Sequence, residues 1–429
     1  MCVGPPPGGM TLDPVHFKAI TRLAGRVNRE DAEQDHRDFA DTVWNEYLDP
    51  LVTDEGAVLE PLGEQRRRRV HAEDIALAED PFPTRHGLDS GTINPTTFKS
   101  GLVVDVAQAA MSAVPSDVDL HRGRTMVTAV HTHDATTTFE EDWRMDDEGY
   151  VRGRVLHVPR VDRSVTPVVH ELALYLAEIT HANRNREIVD DLLVLDGPVY
   201  PKGLLTWAER DPELQQLLST EEQPQTIIER YVGMVEHFAD RGVPLIGFVK
   251  TPVSRQVTRT IREKEGSAPW VNDAAFFSQV LTPDAYDTDG ADRDTSSLTF
   301  TNWFVSRGGT DGALSAPSVP YDIQRERDPA DYEVTFCMLY DPRTDTVYRV
   351  ESPAVFTRDE ELRERLTRHV LKSVATERGP PLAVRKADQL ARISRQETVA
   401  LRKALERAFD SELDTNYGDE RAAKWGLDG

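Results

Sequence analysis

Two aspartates in this sequence stand where a short apolar run gives way to glycine: Asp89 in HGLDSGT, residues 86–92, and Asp196 in LLVLDGPVY, residues 192–200. Each carboxylate is therefore expected to project from a strand or its end. Glycine at the second or first position after it frees the backbone to turn and leaves room for a phosphate. Asp-Gly stretches also make ordinary turns, which is the plain alternative for either one alone. The chemistry such a pair would serve is metal-assisted phosphodiester hydrolysis. Mg²⁺ and Mn²⁺ prefer oxygen ligands in near-octahedral array, and two ions about 3.5–4 Å apart can activate water and stabilise a leaving oxygen. That chemistry needs three or four carboxylates from different elements converging at one end of a sheet.

A third carboxylate is expected on the helix that precedes Asp196, TPVVHELALYLAEITHA, residues Thr166 to Ala182. Glu171 and Glu178 share one face of it. A five-residue strand rises about 17 Å, and an antiparallel helix covers that distance in roughly 11 residues. If the helix stops near Ala182, Glu171 is level with Asp196 and is the expected ligand. If it continues through Asn183, Arg184 and Asn185, Glu178 is the alternative. For both, a solvated helix face is the plain reading. His131 and His133, on one strand face in VHTHD, are a competing Zn²⁺ pair without a third ligand at recognisable spacing. No G-x-x-x-x-G-K-[ST] phosphate loop occurs, so any ATP-driven motion must come from a partner.

The elements that position these residues can be read from periodicity. Apolar residues at three- and four-residue spacing from Leu12 to about Leu51 predict one or two amphipathic helices. The basic run Arg66 to Arg69 follows, read as a solvated face with DNA contact as the alternative. GLDSGTI, GLVVDVAQAAM, TMVTAVHTHD and VRGRVLHV have strand length and β-branched content. Strand Leu192 to Leu195, a helix stopping at Gly242 and the buried strand VPLIGFVK form an αβ pattern. A polar loop is expected at 282–297 and a hairpin through Asp341-Pro342-Arg343-Thr344. Helices are expected around Glu360 to Thr376 and Ala387 to Phe409. The class is α/β with a mixed sheet flanked by helices and an N-terminal helical arm.

Composition narrows the setting. There are 74 Asp and Glu against 50 Lys and Arg, a formal net charge of −24, and such acidity keeps a protein hydrated in concentrated salt, as in halophiles. Screening at high salt means that this charge does not exclude DNA as a partner. Two cysteines, Cys2 and Cys337, exclude a disulfide framework and a cysteine zinc site. No signal peptide or membrane span is evident, so a cytoplasmic protein with no membrane association is the expectation.

The ordered set GLDSGT, ELALYL, LLVLDGPV, VPLIGFVK, VYRVESP and GPPLAVRKADQLARI, from about Gly87 to Ile393, resembles the landmarks of NurA-type nucleases. The resemblance implies an RNase H-like fold. It implies Mn²⁺-dependent (or Mg²⁺-dependent) DNA cleavage by one or two ions, with 5′ to 3′ exonuclease and single-strand endonuclease activity. It also implies a homodimer that works with a HerA-type hexameric ATPase in resecting double-strand breaks. Carried over, the family's metal-binding residues fall on Asp89, Glu171 and Asp196, and basic positions near the DNA path fall on Lys250 and Arg349. Where the family has Gly-Tyr-Pro and Ala-His, this sequence has Gly379-Pro380-Pro381 and Ala387-Asp388. A carboxylate is a harder ligand than imidazole, so Asp388 suits Mg²⁺ or Mn²⁺ and is expected to complete the cluster. The alternatives are a catalytically weakened scaffold subunit docked on a ring ATPase and an RNase H-like enzyme acting on RNA. The organisation expected is a tail over 1–11, the helical arm over 12–80, the nuclease domain over 81–410 and a tail over 411–429.

Overall fold

The computed structural model of the protein describes residues 13–27, 33–282, 295–316 and 323–414. The two parallel strands Leu193–Asp196 and Leu245–Val249 lie at the centre of one mixed sheet. Their runs, LVLD and LIGFV, are almost wholly apolar because both faces are covered, as parallel strands require. Leu193, Leu195 and Leu245 pack to one side with the helices Val165–Asn185 and Glu222–Asp240. Val194, Ile246 and Phe248 pack to the other with Glu360–Glu377 and Leu382–Ala391. This is the two-residue alternation of a strand applied to a sheet buried on both faces.

On one side of this pair, Arg85–Thr92 runs parallel to Leu193–Asp196 and begins an antiparallel meander with Val103–Val114 and Arg124–His131. Val151–His157 then pairs parallel to Arg124–His131. On the other side, the hairpin Val334–Asp341/Thr346–Pro353 pairs antiparallel to Leu245–Val249. The α/β class, with a mixed sheet flanked by helices, is the one expected from the sequence.

Two expectations need correction. The segment 12–80 is helical only at first, with Pro14–Ala24 and Glu33–Tyr47. It then supplies strands Leu51–Thr53, Gly56–Pro61 and Arg67–His71, the last pairing with Ser297–Thr301, so it is part of the sheet rather than a helical arm. The basic run is used in that role: Arg67 pairs with Asp41, and Arg68 with Glu364. The single helix expected over Ala387 to Phe409 is two, Leu382–Ala391 and Arg395–Ala408. A Ser394/Glu397 capping box restarts the chain as a new helix. The expected tail over 1–11, most of the 282–297 loop and all but residues 411–414 of the C-terminal tail lie outside the described residues. Among the described residues no helix is long and apolar enough to cross a membrane.

Candidate metal centre

Register brings the two aspartates together. Leu193, Val194 and Leu195 pair with His86, Gly87 and Leu88, so one further step sets Asp196 beside Asp89. Alternation places Gly87 and Asp89 on the sheet face shared with Val194 and Asp196. Glycine follows Asp196 because the chain must turn at once: Gly197 has φ of 128°, which side chains rarely adopt.

The helix Leu382–Ala391 lies across this face at backbone contact. A Cβ on Gly87 would come within 2.2 Å of the Ala383 carbonyl oxygen, and one on Gly91 within 2.6 Å of that of Ala391. The eight helical residues between those contacts rise about 12 Å, and the four strand residues between the glycines about 13 Å. Helix and strand thus run level, and Asp388 stands over Asp89. Ligand oxygens of Asp89, Asp196 and Asp388 lie within 4.8 Å of one another, the two strand residues half-buried and Asp388 exposed. Among the described residues this is the group of acidic, histidine or cysteine side chains that can share an ion.

The electrostatics is that of crowded acid. Burial, then the neighbouring Asp196, pushes the Asp89 carboxyl up to about 8. Burial also raises Asp196, against the pull of Lys250, whose ammonium lies 2.5 Å from its carboxylate. That contact holds Lys250 above its ordinary value despite its own burial.

Ser90, next along the strand, points to the opposite face. Its hydroxyl donates to Glu178 at 2.8 Å, and the Tyr231 hydroxyl donates to the other Glu178 oxygen at 2.7 Å. Glu178 is raised by burial. The helix carrying it continues to Asn185, the condition under which Glu178 rather than Glu171 comes level with the aspartates. Glu171 is taken up elsewhere, accepting from the Trp207 indole and from Arg210 at 3.2 Å. The expectation that Glu171 joins the cluster is corrected accordingly.

The expectation that Arg349 lies near the DNA path is corrected too. Arg349 is 4% exposed and pairs with Asp311 at 2.6 Å and Glu351 at 2.7 Å, while its guanidinium lies over the Phe336 ring. Its strand is interior, between Val334–Asp341 and Leu245–Val249, and six successive residues of it, Tyr348 to Pro353, are buried, so both faces are covered. Lys202, which pairs with Asp311 at 2.7 Å, completes a buried charge network that sequence reasoning missed. The partners are too far apart in the chain for spacing to reveal them. His131 and His133 are engaged singly, accepting from the Val161 amide and from Arg160.

The NurA domain pattern matches residues 83–393, well over half of the chain. Among solved structures, the NurA nuclease from Sulfolobus solfataricus is 11% identical, with 93% of this chain and 98% of that chain covered and a TM-score of 0.46. A NurA structure bound to dAMP and manganese is 10% identical, with 92% and 98% covered and a TM-score of 0.42. A third, NurA with manganese, is 10% identical over 78% and 92% of the two chains, with a TM-score of 0.41. A comparison with curated proteins finds no match. The matched span contains Asp89, Asp196, Lys250 and Asp388, and the chain belongs to the NurA family.

Proposed function

We propose that the protein is a metal-dependent DNA nuclease in which Asp89, Asp196 and Asp388 hold one or two manganese or magnesium ions. The observation that carries this reading is the convergence of three carboxylates from two parallel strands and one helix within 4.8 Å. The donor set fits: all are hard oxygen ligands, and burial, then the neighbouring Asp196, holds the Asp89 carboxyl up at about 8, a crowding that a bound cation would relieve. When bound, such an ion supplies Lewis acidity, acidifying water and drawing charge from a phosphodiester oxygen. Manganese and a DNA mononucleotide accompany a NurA structure, and family membership brings both to this chain as the proposed ion and product class.

The chain's own groups have separable parts in this reading. Asp89, within its strand, and Asp196, at the end of the neighbouring one, present their carboxylates in register, and Asp388 closes the cluster from above. Lys250, cationic and paired to Asp196, orients that carboxylate and offers positive charge to an incoming phosphate. Glu178 is a positioning residue, fixing the strand through Ser90 while Tyr231 holds it in place. Glu171 and Arg349 are engaged in other networks and have no part in it.

The finer activity proposed, from the family resemblance, is 5′ to 3′ exonuclease and single-strand endonuclease action in double-strand break end resection. The same source suggests a cytoplasmic homodimer partnered by a HerA-type hexameric ATPase. Purified protein should degrade end-labelled single-stranded DNA with Mn²⁺ but not with EDTA, and Asp196→Ala should abolish this. Degradation indifferent to EDTA, or undiminished in Asp196→Ala, would remove the metal centre from the reading. The aspartate at 388 in place of the family histidine motivates a second reading, a scaffold subunit; a folded protein that binds the ATPase yet cuts nothing with either ion would establish it.

A further inference from the structure

Away from the aspartates, four arginines gather in a chain whose formal net charge is −24. Arg152 and Arg154 lie two residues apart on the strand Val151–His157 and project to one face. Their guanidinium carbons stand 4.5 Å and 5.9 Å from the centroid of the same Trp143 ring. Arg230, on Glu222–Asp240, approaches from across the helix Val165–Asn185, its guanidinium 3.4 Å from the Thr180 hydroxyl. Arg184 flanks the group, donating to the Gly149 and Tyr150 carbonyls.

Among the described residues Glu141, 2.9 Å from Arg154, is the one carboxylate paired with any of the four. Arg154 and Arg230 line a hollow of about 320 Å³ together with Leu156, Leu176 and Gln223, and Glu222 stands at its mouth. Two polar atoms of that lining, Arg154 Nε and Gln223 Oε1, are buried without a hydrogen-bond partner. Like charges so gathered, with the Arg154 Nε donor left over, are costly unless an anion shares the site. Burial, and after it the neighbours Arg154 and Arg152, hold Arg230 below the ordinary guanidinium value.

We propose that Arg152, Arg154 and Arg230 form a second anion site that takes a phosphate group, on the side of the helix Val165–Asn185 turned away from the aspartates. Leu176 lines the hollow, whereas Glu178, about 200° round the helix from it, meets Ser90 on the sheet face opposite the aspartates, so helix and sheet both lie between the two sites. Planar guanidiniums with several donors match phosphate oxygens in bidentate fashion, which a single ammonium does not. The phosphate belongs either to a DNA strand or to a free mononucleotide.

The test is run in EDTA, so it does not depend on the metal-site reading and fails or succeeds separately from it. Thermal melting is measured in inorganic phosphate and in chloride at matched ionic strength for wild type, Arg152→Gln and Arg230→Gln. Wild type should gain stability specifically in phosphate, and each variant should bind phosphate roughly tenfold more weakly or lose the gain. In chloride the variants should melt no lower than wild type, because removing one guanidinium relieves repulsion. No phosphate-specific gain in wild type, or an equal gain in both variants, overturns the proposal. Fluorescence anisotropy with labelled single-stranded DNA then separates the sources. Weaker binding by the variants assigns the site to the DNA backbone. Unchanged DNA binding, with dAMP stabilising wild type but not the variants, assigns it to mononucleotide.

Discussion

The acidic side chains divide by what holds each of them. Asp89 and Asp196 face one another and Asp388, Glu178 is locked between two hydroxyls, and Glu171 answers Trp207 and Arg210. Alanine at 178 strands the Ser90 and Tyr231 hydroxyls, at a cost of about 1–3 kcal/mol, and should slow cleavage. Alanine at 171 should leave metal-dependent cleavage near wild type. Single-turnover rates compare them, and the reverse ranking would return Glu171 to the site. The Asp89 carboxyl, raised from an ordinary 3.8 to about 8, also sets a pH dependence. Between those values the metal-free folded protein keeps a proton that the unfolded chain has released, so its stability falls as pH rises through that window. An ion displaces the proton, so the rise in Tm produced by Mn²⁺ should be larger at about pH 8 than at about pH 5. Equal gains at both pH values would contradict this. Both aspartates were legible in the sequence because each closes an apolar run of strand character; that the strand Arg85–Thr92 continues past Asp89 through Gly91 was not, because Asp-Ser-Gly also reads as a turn. The choice between Glu171 and Glu178 was not, because it turned on where the helix stops, and Asn183 to Asn185 carry no strong stop signal. Arg349 misled because strand alternation does not say whether both faces of a strand are covered.

One helix laid on one strand builds the site. Ala383, Ala387 and Ala391 of Leu382–Ala391 are buried at four-residue spacing, and the contacts of Ala383 and Ala391 with Gly87 and Gly91 set the height of Asp388 over Asp89. The Ser112 hydroxyl donates to the Ala383 carbonyl at 2.6 Å and pins the start of that helix. Gly87→Ala places a methyl group against backbone that cannot yield as a side-chain end would. It should destabilise the protein by about 1–3 kcal/mol and weaken Mn²⁺ binding even though no ligand has changed. Calorimetric titration of the folded variant checks this, and unaltered Mn²⁺ affinity would show that the helix does not set the height of Asp388. The small-residue stripe and the two glycines are visible in the sequence, but their complementarity is not, since it is a contact between segments at opposite ends of the domain. The break before Ser394 was readable from the Ser394-x-x-Glu397 pattern and was passed over in favour of continuous helical periodicity.

Charge acts over the molecule as a whole. A formal charge of −24 repels itself more in the compact state than in the unfolded chain, and the Debye length falls from about 10 Å at 0.1 M salt to about 3 Å at 1 M. Tm should therefore climb as KCl is raised across that range; a flat response would show that the acidity is already neutralised by local pairing. The α/β class was legible because helical and strand periods alternate along the chain. The strands Leu51–Thr53, Gly56–Pro61 and Arg67–His71 were not, because short strands gain their stability from distant partners such as Ser297–Thr301. The account rests on three carboxylates acting as one site for a divalent ion. The most direct measurement is anomalous diffraction at the manganese edge from crystals soaked in Mn²⁺. The account predicts a peak in contact with Asp89, Asp196 and Asp388 that disappears in Asp196→Ala. A peak elsewhere, or none in protein that cleaves DNA, would contradict it.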